Sequence, residues 1–422
     1  MEQEANGRKL KAKVNKVVGK RFFVPFILVT ALFALWGLAN NMTDTLLAAF
    51  KKIMQMSDTQ TSFIQMAFYG AYFCVALPAA LFIRKYSYKK GVILGLLLYA
   101  AGAILFLPAA STASYAFYLV AIYIMASGCS VLETTANPYI MSMGSPETAT
   151  RRLNIAQSFN PIGSILGILV SKYFILQDIS LYSVSGTYAG LGVVLLAIMV
   201  VMLFARMPEG KDETKQASLI NTFGRLAKNK KYIWGVVAQF FYVGAQIGVW
   251  SFTIRLVMKE LGYMEAQAAT LYLISIIGFC ASRFVYTWLM RYAAPVRLLA
   301  AGSVLSAVCA LVVVLAGGWV AVIALVLISA FMSLMFPTIY GISLGSLNIG
   351  TDNGDTKIGA SGLIMAILGG ALITPLQGMV SDATRSINTS YVVPLGCFIV
   401  VFCYALFAVR NEKILSNADS GR

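Results

Sequence analysis

The chain has 422 residues, of which 59% are apolar and 12% charged, with 35 glycines, whereas an ordinary soluble domain carries about 25% charged residues. That composition excludes a soluble enzyme, and the excess of 33 Lys and Arg over 17 Asp and Glu, which would suggest nucleic acid in a soluble protein, falls between apolar blocks and points to a membrane surface instead. Histidine is absent, and the six cysteines (Cys74, Cys129, Cys280, Cys309, Cys397, Cys403) lie inside apolar runs without a CxxC pair, so neither a zinc site nor a disulfide framework is expected.

A helix needs about 20 apolar residues to cross a bilayer. Twelve such stretches follow one another at 22–48, 60–83, 91–110, 115–143, 153–176, 184–206, 232–257, 266–290, 297–316, 319–345, 358–381 and 390–410. They predict an all-α membrane protein. Residues 1–21 carry Lys9, Lys11, Lys13, Lys16 and Lys20 ahead of an apolar run too long for a signal-peptide core, and are expected to be a cytoplasmic tail. The longest polar stretch, 207–231, divides the spans six and six, giving an N-terminal half at 22–206, a cytoplasmic linker, a C-terminal half at 232–410 and a second tail at 411–422. With both ends inside, only Lys51, Lys52, Lys172, Arg255, Lys259 and Arg385 fall on the outer side and Arg283 within the eighth span. All other basic residues face the cytoplasm, as the positive-inside rule requires.

The halves echo each other. LWGLANN in span one corresponds to YVGAQIG in span seven, ANPYI in span four to MFPTIY in span ten, and the basic turn RKYSYKKG at 84–91 to RYAAPVR at 291–297. A parallel six-plus-six repeat of this kind places binding sites between the halves.

Ionisable groups at membrane depth cost at least about 2.5–3.5 kcal/mol each and mark function by default. Among the acidic residues, Asp44 in span one and Glu133 in span four fall inside spans. Asp44 could reach the outer surface along its helix, but Asn40, Asn41 and Thr43 place a polar stripe beside it. Glu133 is too deep for a short carboxylate to reach water along a lipid face, and the plain alternative is a structural hydrogen-bonded acid. A carboxyl held away from water favours its neutral form, so such groups suit a proton relay serving two alternately open faces. Sodium is the other candidate ion, since carboxylate and carbonyl oxygens also ligate it.

In span five, Asn154, Gln157 and Asn160 step by three and share roughly one helix face. Amides offer donors and an acceptor to a sugar's hydroxyls, although amides also join transmembrane helices to one another. Span seven carries Gln239, Tyr242, Gln246 and Trp250 at three- and four-residue steps. An aromatic face beside amides suits a pyranose, while Trp250 near its span's end equally fits an interfacial belt. Gly359, Gly362, Gly369 and Gly370 in span eleven are expected to serve close helix packing. Arg283 is placed near the cytoplasmic end of span eight, where it would snorkel or meet a helix C-terminus, a coupling role being the lesser alternative. No Walker motif, nucleophile triad or metal cluster appears, so the chain is expected to be no enzyme and to need no cofactor.

The segments ALWGLANNMTDTLL (34–47), QMAFYGAYF (65–73), VLETTANPY (131–139), RLNIAQSFNPIG (152–163), AQFFYVGAQIGVWSF (238–252) and AFMSLMFPTIY (330–340) together resemble the bacterial L-fucose/proton symporters, in the fucose–galactose–gluconate branch of the major facilitator superfamily. The resemblance runs from about residue 22 to 410. It implies twelve transmembrane helices in two six-helix halves, an inner-membrane location, a small-molecule sugar as partner, no nucleic acid and a functional monomer. It implies that Asp44 and Glu133 are the protonation sites, with H⁺ as the coupling ion, and that Asn41, Gln157 and Asn160 are sugar-site amides. Asn137, Tyr242, Gln246, Trp250 and Phe336 complete the expected sugar site. Phe336 stands where the family has a tyrosine, which removes one hydroxyl and leaves galactose, glucose or N-acetylglucosamine as alternatives to L-fucose. A drug/proton antiporter on the same fold would favour a wide apolar cavity with few amides, and a non-transporting sugar receptor would lack counterflow.

Overall fold

The structure, a computed structural model, describes residues 17–53, 55, 58–175, 180–208, 218–347 and 355–420. The side chains of Asn40 and of residues 43–52, among a few others, lie outside that description. All regular structure among the described residues is helical, and twelve helical stretches are long and apolar enough to cross a membrane. Spans one to six are Phe23–Ile53, Asp58–Lys85, Tyr88–Thr112, Tyr115–Ser142, Pro146–Ile175 and Leu181–Phe204. Spans seven to twelve are Lys230–Leu261, Glu265–Leu289, Pro295–Leu315, Gly318–Gly345, Asp355–Thr384 and Ile387–Arg410. The expected all-α architecture of two six-helix halves is the observed one.

Span ends follow capping chemistry rather than the edge of the apolar run. Span three begins at Tyr88 because the Ser87 hydroxyl accepts from Lys90 N at 3.2 Å, and span seven begins at Lys230 because Asn229 Oδ1 accepts from Tyr232 N at 3.0 Å. Both are side-chain N-caps that satisfy otherwise orphaned donors. Span seven stops where Gly262 turns left-handed, with φ 64°, a conformation that costs glycine no steric clash.

Two spans are interrupted in mid-membrane. The helix of span five ends at Gln157 and resumes at Asn160, and that of span ten ends at Met332 and resumes at Met335. Pro161 and Pro337 follow these breaks. Proline has no N–H to bond four residues back, so the carbonyls of Gln157 and Ser333 are left without their helical partner. Such a carbonyl in a membrane must find another donor.

Spans one and five cross closely in the N-terminal half, and spans seven and eleven in the C-terminal half. A Cβ added at Gly37 would fall on the Asn160 carbonyl oxygen, and one at Gly369 on the Phe240 carbonyl oxygen. Small residues let the backbones approach to this degree, as expected for Gly369. The largest contacts between the halves join span eleven to span two and the second part of span ten to the first part of span five. They lie on the side of both chain ends, here called the basic side. There Lys357 Nζ sits 4.6 Å above the Tyr88 ring, and Asn154 Nδ2 meets Thr338 Oγ1 at 3.3 Å. Fully buried Arg152 gathers the carbonyls of Ile140 and Val17, each at 2.7 Å, and of Met141, the cation closing the C-terminal end of span four. Between the halves, the amphipathic helix Leu219–Lys228 buries Thr222 and Leu226, and Arg225 forks onto Asp355 at 2.6 and 2.7 Å.

Candidate functional site

A cavity of about 150 Å³ opens between the halves, roughly tenfold the space one water needs. Its two walls differ in chemistry. Spans one, two, four and five supply Glu133, the polar Asn41, Gln157, Asn160 and Ser164 and the rings of Trp36, Phe68, Tyr69 and Tyr72, while spans seven, eight, ten and eleven supply Val243, Ile247, Trp250, Tyr272, Phe336 and Ile367 with Gln246 and Arg283.

On the N-terminal wall Glu133 is 1% exposed, and its Oε2 has no hydrogen-bond partner among the described residues. Asn137, one turn on, stands beside that carboxyl, and its Oδ1 accepts from Gln157 Nε2 at 2.8 Å. Tyr72 lines the same cavity, and Trp36 Nε1 donates to its hydroxyl at 2.8 Å. Below the break in span five, the helix restarts at Asn160, whose Nδ2 donates to the Phe33 carbonyl at 3.3 Å. Asn41 Nδ2 donates to the Gly37 carbonyl at 3.2 Å, and Ser164 Oγ to the same carbonyl at 3.4 Å. The close crossing at Gly37 therefore sets the height of these amides against the cavity.

On the opposite wall Trp250 Nε1 donates to Ser329 Oγ at 3.2 Å, and the indole meets Phe279 edge to face at 5.0 Å. Those contacts fix the ring against the cavity rather than at a lipid interface. Phe336 stacks on Tyr340 with centroids 6.4 Å apart and lies the same distance from Tyr242. Gln246 and Tyr272 line this wall as well.

Of the residues expected at a sugar site, Asn41, Gln157, Asn160, Gln246, Trp250 and Phe336 line one cavity together with Glu133. Asn137 and Tyr242 are fully buried behind it. Asp44 lies on the helix of span one, with its side chain outside the described residues. Asn154 turns to the seam on the basic side, one turn from the cavity, and both amide atoms of Gln239 are buried without partners among the described residues. Arg283 is 3% exposed and lines the cavity, so of its two expected placements the snorkelling one is overturned and the one at a helix C-terminus is met. Its Nε donates to the Ser333 carbonyl at 2.7 Å and its Nη1 to the Gln157 carbonyl at 3.0 Å. These are the acceptors freed by the two prolines, and they outweigh a path to water for a donor so placed.

Trp36, Tyr69, Tyr72, Ser164 and Tyr272 also line the cavity and were not expected there. Ser164 could have been found from its four-residue step beyond Asn160, and Tyr69 with Tyr72 from their three-residue step.

The family model for the Major Facilitator Superfamily matches residues 22–351. The chain is 42% identical to the L-fucose-proton symporter of Haemophilus influenzae, covering 95% of this chain and 99% of that protein. It is 38% identical to the L-fucose-proton symporter of Escherichia coli, covering 92% and 94% respectively. The crystal structure of the transporter FucP in the outward conformation superposes with a TM-score of 0.84 at 36% identity, covering 92% of this chain and 99% of that one.

Proposed function

The chain belongs to the Major Facilitator Superfamily, and from that premise we propose that it is a proton-coupled symporter taking up L-fucose by alternating access. The observation that carries this reading is the cavity: a buried carboxyl, side-chain amides and aromatic faces line one space between two six-helix halves. L-Fucose is the substrate named for both symporter relatives.

Asn41, Gln157, Asn160 and Gln246 contact the sugar hydroxyls, because an amide can donate and accept at once. Trp250 and Phe336 cover the C–H face of the ring. Asn137 and Tyr242 support the two walls from behind, Asn137 by holding the Gln157 amide. Glu133 carries the proton. A bare charge at that depth is costly, and an oxygen without a partner is free to take and lose a proton. Asp44 is the second protonation site. The sugar enters from the side opposite the basic one while Glu133 is protonated. The halves then rock, the seam on the basic side opens, and sugar and proton leave there. No cofactor takes part beyond H⁺. The chain sits in a bacterial inner membrane with the basic side and both tails cytoplasmic, residues 207–231 linking the halves, and it works as a monomer with no nucleic-acid partner.

The test is accumulation of labelled L-fucose in proteoliposomes under an inward proton gradient without sodium, with unlabelled galactose, glucose and N-acetylglucosamine as competitors. Accumulation blocked only by unlabelled fucose is expected. Better competition by another sugar would move the specificity to that sugar, the outcome that Phe336 in place of a tyrosine would favour. Accumulation that waits for sodium would overturn the proton.

A further inference from the structure

Sugar recognition and proton carriage leave Arg283 without a task, yet its cation is buried at the cavity with no carboxylate partner among the described residues. The Phe279 ring covers it from one side, 4.6 Å from the guanidinium carbon to the centroid. Its two backbone acceptors have a common origin. Pro161 leaves the Gln157 carbonyl free and Pro337 leaves the Ser333 carbonyl free, each by lacking the N–H that would close the turn. Gln157 belongs to the N-terminal half and Ser333 to the C-terminal half. A single side chain on span eight therefore ties the break of span five to the break of span ten across the seam. The planar guanidinium suits this task, since its separated donors are held in a fixed fork.

We propose that Arg283 is a positioning residue that latches the two halves together at the breaks in spans five and ten, so that the basic side opens when the Gln157 carbonyl is released. Gln157 also connects the latch to the proton site, since its side chain donates to Asn137, which stands beside Glu133. A change at Glu133 thus reaches the latch through two residues. The inference rests on the alternating-access reading.

The experiment measures seam opening rather than transport. Ser361 lies one turn beyond Lys357, whose ammonium covers Tyr88 of the other half, and is itself buried. Ser361→Cys in the full-length purified protein serves as reporter, and maleimide labelling at position 361 is followed by mass spectrometry without sugar or gradient. Buried Cys129 and Cys397, one in each half, report loss of the fold. With Arg283→Gln, labelling at position 361 accelerates about tenfold, the change expected from losing one charge-assisted hydrogen bond across the seam. Arg283→Lys, which keeps the charge but not the fork, gives a smaller acceleration. An unchanged rate in both variants would overturn the proposal. Equal acceleration at Cys129 and Cys397 would make Arg283 a packing residue of the fold and overturn it as well. Failure of the symport reading would show instead in the uptake of the unsubstituted chain.

Discussion

The two walls of the cavity come from equivalent six-helix halves and do different chemistry. The N-terminal wall presents Glu133, Asn41, Gln157, Asn160 and Ser164 beside the rings of Trp36, Phe68, Tyr69 and Tyr72. The C-terminal wall presents Val243, Ile247, Trp250, Phe336 and Ile367, with Gln246, Tyr272 and Arg283 as its polar members. A repeat fold can therefore place the carboxyl and three of the four cavity amides on one half and the aliphatic contacts on the other, with aromatic rings on both. Directional bonds weaken steeply with misalignment, whereas apolar contact is non-directional. The apolar wall can accordingly move against a bound ligand while the polar wall keeps its grip.

Substitutions that exchange the character of the walls should be unequal. The largest effect is expected from Glu133→Gln, which removes the titrating oxygen but keeps the shape. Accumulation driven by a pH gradient is lost, while exchange of labelled for unlabelled sugar at equal concentrations persists. Accumulation that survived would move the proton site off this wall. Next is Gln157→Ala, which removes a cavity amide and leaves Asn137 Oδ1 without its donor. A bound sugar hydroxyl left unsatisfied by the missing amide costs about 1–3 kcal/mol, so the uptake KM should rise about 5- to 150-fold. On the opposite wall, Trp250→Ala deletes a ring contact worth about 0.5–1.5 kcal/mol, and the KM should rise only about 2- to 10-fold. A larger rise than for Gln157→Ala would erase the contrast between the walls. The smallest change belongs to Phe336→Tyr, which adds one hydroxyl to the apolar wall. It should alter the ratio of galactose to fucose uptake by about fivefold or less, within the net value of a neutral hydrogen bond.

The fold was legible because each span had to satisfy its backbone internally over a fixed thickness, and length with apolarity alone marks that requirement. Serine and asparagine caps displaced the ends by a few residues at Tyr88 and Lys230, where a polar side chain outweighs the edge of the apolar run. The site was legible in part. Gln157 and Asn160 face the cavity as their spacing predicted, but Asn154 on the same stripe lies one turn nearer the basic side and meets Thr338 instead. Tyr242 shares a stripe with Gln246 yet is screened by Phe336. Arg283 was legible as a partner for a helix C-terminus, but its turn into the cavity was not, because counting residues from a span end gives depth and not direction. Pro161 and Pro337 were visible in the sequence, but that one arginine takes both freed carbonyls required the three-dimensional arrangement.

The most direct test of proton–sugar symport through this cavity is the pH of a lightly buffered suspension of proteoliposomes on addition of L-fucose, with sugar entry followed in parallel. The medium is expected to turn alkaline as fucose enters through the unsubstituted protein, and the pH to stay level with Glu133→Gln while exchange continues. Fucose entry without any alkalinisation in the unsubstituted protein would contradict proton–sugar symport.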